Sequence, residues 1–492
     1  MKKTKIVCTI GPASDQPQIL KKLIENGMNV ARLNFSHGSY ESSLSSLKKI
    51  CAVAKKMNQP IGIMQDLQGP RFRIGFFDCG KITIKNNEKI ILISETDFKN
   101  QSNLFKNKKF IPLKNISLYK KIKSQNIILI DDGLISLKVI SNIDEQITTK
   151  VICGGDIKPN KGINFPGVDL ALSALTDKDK KDALWGIKNN VDFIAFSFVH
   201  SAKDVIELRN LITASEKKQY KQTTRTTRTK IIAKIETIEA IKNFDEILHE
   251  ADGIMVARGD LGIETNLERV PLLQKEMIAK CNKLGKIVIV ATQMLESMVN
   301  NPMPTRAEVS DVANAILDGT DAVMLSAESA TGKYPIQAVS FLNKIARNIE
   351  PILISKKQNN KSTLPLFSLR EIPQAISLAI NHIICQIKID AIVCATTSGF
   401  TPKLIARFKP NTSIIALTNI LKTQNQLSLS WGVESYLIPD SFYQTFDDFI
   451  KNSIIFLKKK NKIKKGQTII FTMDYPLTLI GETNTIKVHK VE

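Results

Sequence analysis

The chain has 492 residues and a formal charge of +22, from 69 basic and 47 acidic side chains, too long for one ordinary core and suited to about two to four domains. A hydrophobic share of 43% and a charged share of 24% are those of a soluble globular protein. The basic excess carries no aromatic-interleaved patch or recognition motif, so nucleic acid is not an expected partner, while phosphate-bearing substrates benefit from such a field.

The seven cysteines are scattered and never spaced as CxxC, and the five histidines do not cluster with them. Reduced thiols and no thiolate or imidazole metal site follow. There is no signal-peptide pattern and no apolar run near about 18 residues, so a cytoplasmic protein with no membrane partner is expected.

In chain order, short apolar runs alternate with helical patterns: Lys5 to Ile10, Asn29 to Leu33, Ile61 to Leu67, Asp192 to Val199, Lys230 to Ile235, Gly253 to Ala257, Lys286 to Ala291 and Ala322 to Leu325. Eight such βα units predict an α/β fold built on a TIM (β/α)8 barrel, in which chemistry sits where the strands end. Most of these runs end in polar groups: Arg32, Asn34 and Ser36, then Asp66, Ser197, Lys234 and Glu236, Arg258 and Asp260, Thr292, and finally Ser326 and Glu328. Any one of these fits a strand-end cap; agreement across the series points to a site.

The spacing breaks once. Residues 70–167 hold alternating strand-like pieces (Lys81 to Ile84, Lys89 to Ile93, Asn126 to Ile130, Leu134 to Ile140, Gln146 to Val151) with turn signals such as Asp131-Asp-Gly133. This predicts an inserted small β-barrel domain that acts as a lid, with the barrel formed by 1–69 and 168–345. From 346 to 492 the pattern becomes a C-terminal open-sheet α/β domain, with a helix near Ile372 to Gln386 and strands Asp390 to Ala395, Ser413 to Leu417, Glu434 to Ile438 and Thr468 to Thr472. Thr223 to Thr229 and Lys356 to Ser362 read as solvated surface and linker.

Lys234 and Glu236, two apart on a β-branched run, point the same way. With Asp260 arriving from the next strand, they suit a divalent metal held beside a phosphate: Mg²⁺ or Mn²⁺ on the two carboxylates and an ammonium for the charge of a transferring phosphoryl group. In Arg32-Leu-Asn-Phe-Ser-His-Gly38, the alternation puts Arg32, Asn34 and Ser36 on one side, an arginine for phosphate and two neutral oxygens for a monovalent cation. His37 reads as a structural hydrogen-bonder. Asn300 to Glu308 reads as a helix cap, with Arg306 projecting. The turn Ala395-Thr-Thr-Ser-Gly-Phe-Thr401 suits an anion or, equally, a plain helix cap.

Taken together the motifs resemble pyruvate kinase from end to end: Thr4 to Pro12, Arg32 to Gly38, Met255 to Gly262, Ala291-Thr-Gln-Met-Leu-Glu-Ser-Met298, Asn301 to Glu308 and Asp318 to Glu328. The resemblance implies transfer of the phosphoryl group of phosphoenolpyruvate to ADP, giving ATP and pyruvate, the final step of glycolysis, by a homotetramer. It implies that Lys234 stabilises the phosphoryl group and that Glu236 and Asp260 hold Mg²⁺. The backbone around Arg258 and Gly259 would receive the carboxylate, and Thr292 would serve the proton relay. Arg32, Asn34, Arg73 and Lys161 would contact phosphate and nucleotide, with Ser326 and Glu328 ordering the site.

Two departures matter. Where cation-dependent members read Asp-Thr-Lys-Gly-Pro-Glu-Ile-Arg, this chain reads Asp66-Leu-Gln-Gly-Pro-Arg-Phe-Arg73. The K⁺ site of Asn34, Ser36, Asp66 and Leu67 would then be replaced by Arg71, and K⁺ would not be required, as in the potassium-independent branch. The loop Thr396, Thr397, Ser398, Gly399 and Thr401 keeps the form of the family's sugar-phosphate loop, which implies an allosteric phosphorylated effector. With Leu479-Ile-Gly-Glu-Thr-Asn-Thr485 the wording is nearest the branch activated by AMP and sugar monophosphates. The rivals are a barrel lyase or aldolase that shares Glu236 and Asp260 but needs neither ADP nor a lid, and a basic nucleic-acid-binding protein.

Overall fold

The computed structural model describes residues 2–78, 80–100, 109–114, 120–168, 173–219, 228–359, 371–443, 445–475 and 483–492. Eight parallel strands close into a barrel: Lys5–Thr9, Val30–Asn34, Gly62–Asp66, Phe193–Phe196, Lys230–Ile235, Gly253–Ala257, Ile287–Ala291 and Ala322–Leu325, the last pairing with the first. Seven of the predicted runs contain one of them, and the eighth, Asn29 to Leu33, stops one residue short of the end of Val30–Asn34. These strands are buried on both faces, and their near-continuous Ile, Val and Ala content is what such burial demands.

Their alternation separates two interiors. Val7, Val30, Met64, Phe193, Ala195, Ile232, Met255, Ile289 and Met324 fill the barrel, while the intervening residues pack against the surrounding helices. On four strands the next inward position toward the C-terminal end is polar: Arg32 above Val30, Asp66 above Met64, Ser197 above Ala195 and Lys234 above Ile232. The apolar layers thus carry a charged top layer. Leu429, from the C-terminal unit, joins the barrel-filling cluster; below it Trp431 is fully buried, with the ammonium groups of Lys3 and Lys409 over its ring.

The insertion leaves the barrel after the third strand. Gly69 opens it at φ +69, where a Cβ would lie 2.8 Å from the Phe198 ring, so the sharp exit needs glycine. Six strands form a curled sheet in the order Ile163–Asn164, Ile127–Ile130, Ile135–Ile143, Gln146–Cys153, Lys89–Ser94, Lys109–Leu113, beside a two-stranded sheet of Gly155–Ile157 and Ile82–Ile84. Bridges from Arg73 to Gly162 and from Ile74 to Leu113 link its two edges, and this curl is the form the predicted small barrel takes. Lys109–Leu113 and the helix Glu95–Asn100 were not among the predicted pieces.

In the C-terminal unit, Ala391–Ala395, Ser413–Thr418, Val433–Leu437 and Thr468–Met473 form the predicted open parallel sheet, and Thr485–Lys490 adds an antiparallel edge strand. One helix, Pro335–Asn359, runs continuously through position 345 and into the expected linker. The Thr223 to Thr229 tract and the Leu479 to Thr485 motif lie largely outside the described residues. Among the described residues no helix is long and apolar enough to cross a membrane.

Candidate active site

At the C-terminal ends of the strands, the top layer forms one connected network. The Lys234 ammonium lies 2.8 Å from Ser197 Oγ, 3.3 Å from Asp66 Oδ1 and 3.0 Å from Glu236 Oε1. The Arg32 guanidinium donates to Asp66 Oδ2 at 2.6 Å and to Thr9 Oγ1 at 2.7 Å. Ser197 in turn donates to the Leu67 carbonyl. Strand period and barrel closure thus bring Arg32, Asp66 and the Lys234–Glu236 pair together as two cations and two carboxylates side by side.

Burial sets their electrostatics. It pushes the Asp66 carboxyl up, but Arg32 and Lys234 outweigh it and hold the group below the ordinary carboxylate range. Burial also works against the Lys234 charge, and Asp66 and Glu236 more than restore it. Glu236 goes the other way: burial raises it, Lys234 opposes, and the charge of Asp260 adds to the rise. A carboxylate pair that resists joint ionisation is relieved by a shared cation.

Glu236 Oε2 accepts the Phe198 N–H at 2.7 Å. Oε1 is buried beside the Lys234 ammonium, 3.0 Å away, and has no second partner among the described residues. That buried oxygen, with Asp260 near enough for its charge to raise the Glu236 carboxyl, fits an oxygen-preferring divalent ion that takes its remaining ligands from water and substrate. Among the described residues no group of three or more His, Cys, Asp or Glu forms a complete cage, so such an ion would be held by the protein through two carboxylates.

Asp260 stands in the first turn of the short helix Arg258–Glu264. Beside it, Thr292 and Gln293 have φ of +69 and +53, and Phe198 +53; positive φ on a β-branched residue is strained and gathers at functional sites. The Gly259 N–H donates to Thr292 Oγ1 at 2.8 Å, and that hydroxyl donates to the Ala291 carbonyl. Arg258 is committed to Asp311 and to the Thr292 carbonyl. The Glu328 carboxylate, fully buried, accepts the N–H groups of Leu295 and Ser326 and so shapes two strand ends at once.

Between barrel and insertion lies a cleft of about 310 Å³, lined by Arg71, Arg73 and Lys161 on one side and Asp260, Glu239 and Glu264 on the other. Arg73 donates to the Asn160 carbonyl and Lys161 pairs with Asp131. His37 also lines the cleft. Arg71 is exposed on the rim and, among the described residues, makes no ion pair with Asp66 and no hydrogen bond with Asn34 or Ser36. Asn34 Oδ1 instead accepts the Ser36 N–H, and Leu67 is buried. Residues 300–308 form the expected cap: Thr305 and Glu308 make a capping box on the helix Arg306–Asp318.

On the opposite face, Thr396 Oγ1 accepts the Gly399 N–H, Thr423 donates to the Thr397 carbonyl, and Thr401 meets Thr483. No side chain caps the helix Phe400–Ala406. Ser398, Gly399 and Lys403 share a recess with Lys230, Asp252 and Ile287 at the strand starts of the barrel. The sequence did not single out Glu239 and Glu264, which stand four and seven residues past the strands Lys230–Ile235 and Gly253–Ala257.

The family described as pyruvate kinase, barrel domain, matches residues 1–339, and that described as pyruvate kinase, alpha/beta domain, matches 374–489. A pyruvate kinase of Geobacillus stearothermophilus is 42% identical over 493 residues, covering all of this chain and 80% of the relative. Pyruvate kinase 2 of Synechocystis is 41% identical over 500 residues with the same coverage. The crystal structure of a pyruvate kinase from Cryptosporidium parvum superposes with a TM-score of 0.88 at 35% identity, covering 100% of this chain and 96% of that one.

Proposed function

The chain belongs to the pyruvate kinase family and is a phosphotransferase, and from that premise we propose that it transfers the phosphoryl group of phosphoenolpyruvate to ADP in the cytoplasm, as a homotetramer. The observation that carries the reading is the buried Arg32–Asp66–Lys234–Glu236 network, within reach of the charge of Asp260, which lines a cleft that Arg71, Arg73 and Lys161 also line. A lyase sharing Glu236 and Asp260 has no use for those three cations.

The bond from phosphorus to the enol oxygen breaks, and a bond to a terminal oxygen of ADP forms. Lys234, held at full charge by two carboxylates, faces the charge on the phosphoryl oxygens, and Arg32 orients them; both are fixed before substrate arrives, which is where such catalysis resides. Mg²⁺ on Glu236 and Asp260, when bound, neutralises phosphate charge and the enolate oxygen. The enolate then takes a proton at its terminal carbon. The Thr292 hydroxyl is far too weak an acid to act alone and works as a relay with water. Arg73 and Lys161 receive the nucleotide phosphates, and the inserted domain excludes water as it closes.

No monovalent cation is required in this reading. Asp66 already has Arg32 and Lys234 as counter-charges, Leu67 supplies no hydroxyl, and Arg71 adds fixed positive charge at the rim. Purified protein given phosphoenolpyruvate, ADP and Mg²⁺ forms pyruvate at similar rates with and without K⁺. Turnover only with K⁺ keeps the enzyme and removes this role from Arg71; no turnover from folded protein removes the function.

A phosphorylated effector, AMP or a sugar monophosphate, binds the loop Thr396, Thr397, Ser398, Gly399 and Thr401. The recess that this loop shares with the strand starts of the barrel supplies the physical link. Ser398→Glu abolishes activation by these compounds and leaves basal turnover within about twofold, because a fixed carboxylate repels an incoming phosphate; retained activation places the effector elsewhere.

A further inference from the structure

We propose that Phe198 is a positioning residue that joins the exit of the inserted domain to the divalent-cation site: its backbone N–H fixes Glu236, and its ring is the surface against which Gly69 sets the course of the chain into the insertion. The inference rests on the reading of Glu236 and Asp260 given above. Phe198 follows the strand Phe193–Phe196 by two residues and lines the cleft with Asp260. Its N–H donates to Glu236 Oε2 at 2.7 Å, which leaves Oε1 for Lys234 and a cation. Its ring meets the start of the insertion. A Cβ built on Gly69 would lie 2.8 Å from ring carbon Cδ2 and 3.0 Å from Ser197 Cβ, so ring and exit turn are packed without slack. Gly69 is held in turn by its own N–H, which donates to the buried Asp179 carboxylate at 3.2 Å.

The backbone this requires is an unfavourable one. Phe198 has φ +53, a left-handed conformation that a bulky side chain rarely adopts. Its neighbours enforce it. Ser197 donates to the Leu67 carbonyl at 2.6 Å and accepts from the Lys234 ammonium at 2.8 Å. Val199 is fully buried in the core between barrel and helices. The His200 N–H donates to Asp204 Oδ2, and its carbonyl accepts from the Asn243 amide, both at 2.9 Å. Strain held by clamps on both flanks points to a function at the strained residue, and what it secures here is the aim of one N–H at one carboxylate oxygen. Groups that orient metal ligands through hydrogen bonds commonly govern affinity by about 10–100-fold. A shift at Gly69 is therefore passed through the ring to the ligand.

The test is Mn²⁺ binding to the purified protein, titrated by electron paramagnetic resonance, together with kcat and the KM for phosphoenolpyruvate. The variants are Phe198→Val, Phe198→Asn, Gly69→Ala and the double variant Gly69→Ala with Phe198→Asn, with Glu236→Gln as control. Valine resists positive φ, so Phe198→Val raises the Mn²⁺ dissociation constant about tenfold and lowers kcat about tenfold, with KM within about twofold. Asparagine accepts that φ but has no ring, so Phe198→Asn keeps Mn²⁺ binding within about twofold. Gly69→Ala pushes on the ring and weakens Mn²⁺ binding about tenfold in the parent, but less than about twofold in the Phe198→Asn background, where nothing passes the push on. A folded Phe198→Val that binds Mn²⁺ as the parent does, or Gly69→Ala weakening binding equally in both backgrounds, overturns the proposal. If Phe198→Val or Gly69→Ala does not fold, the other contrast decides alone. Mn²⁺ binding that survives Glu236→Gln unchanged refutes the reading of Glu236 and the proposal with it. Binding weakened by Glu236→Gln but by none of the Phe198 and Gly69 variants keeps that reading and removes the proposal alone.

Discussion

Lys234→Met lowers kcat by about 10³-fold and changes the KM for phosphoenolpyruvate by less than about threefold, because the ammonium acts on charge that moves during transfer rather than on ground-state binding. Methionine fills the same buried volume, so the loss is electrostatic. Asp66 keeps its Arg32 partner, but Glu236 loses its only nearby cation among the described residues, and removal of one partner from a buried pair costs about 3–5 kcal/mol of stability. A lower urea midpoint therefore accompanies the kinetic loss. Lys234→Arg does not rescue, since a planar fork cannot reproduce a point charge shared among Ser197, Asp66 and Glu236. A kcat within tenfold of the parent would reduce Lys234 to a strut of the barrel rim.

Glu236→Gln gives the second large effect. The amide keeps the shape and can still accept the Phe198 N–H, while the charge and the carboxylate's affinity for a cation are removed. The Mg²⁺ concentration for half-maximal rate rises at least about tenfold, and kcat at saturating Mg²⁺ falls about 10²-fold. The substitution also removes the carboxylate whose ionisation burial and Asp260 oppose. Folding stability therefore holds or improves while activity falls, a divergence that a purely structural carboxylate would not produce. Unchanged Mg²⁺ dependence would dissociate Glu236 from the cation.

The barrel was legible because its strands are buried on both faces, leaving an apolar run for each and a polar residue where most of them reach the rim. The C-terminal sheet was legible for the same reason, except for Thr485–Lys490, whose half-exposed Lys and His content reads as a polar tail until the neighbouring strand Thr468–Met473 supplies its ladder. Lys109–Leu113 was missed because Pro112 demotes a run to non-strand, and here it sits on a sheet edge, where a missing N–H is tolerated. At the site, Lys234, Glu236 and Asp66 followed from period and position. Strain at Phe198 and Thr292 did not, because nothing in a Phe or a Thr announces positive φ. Arg71 is the converse case, a sequence departure read for its charge that the fold places on the cleft rim, apart from Asn34 and Asp66.

The central claim is that this barrel face moves a phosphoryl group between two bound substrates. Phosphorus NMR of phosphoenolpyruvate and ADP with the enzyme and Mg²⁺ follows that group directly. The account predicts that the phosphoenolpyruvate signal is replaced by the γ-phosphate of ATP, one for one, with no inorganic phosphate and no conversion when Mg²⁺ is chelated. Inorganic phosphate as the product, or ATP formed at the same rate without a divalent cation, would contradict it.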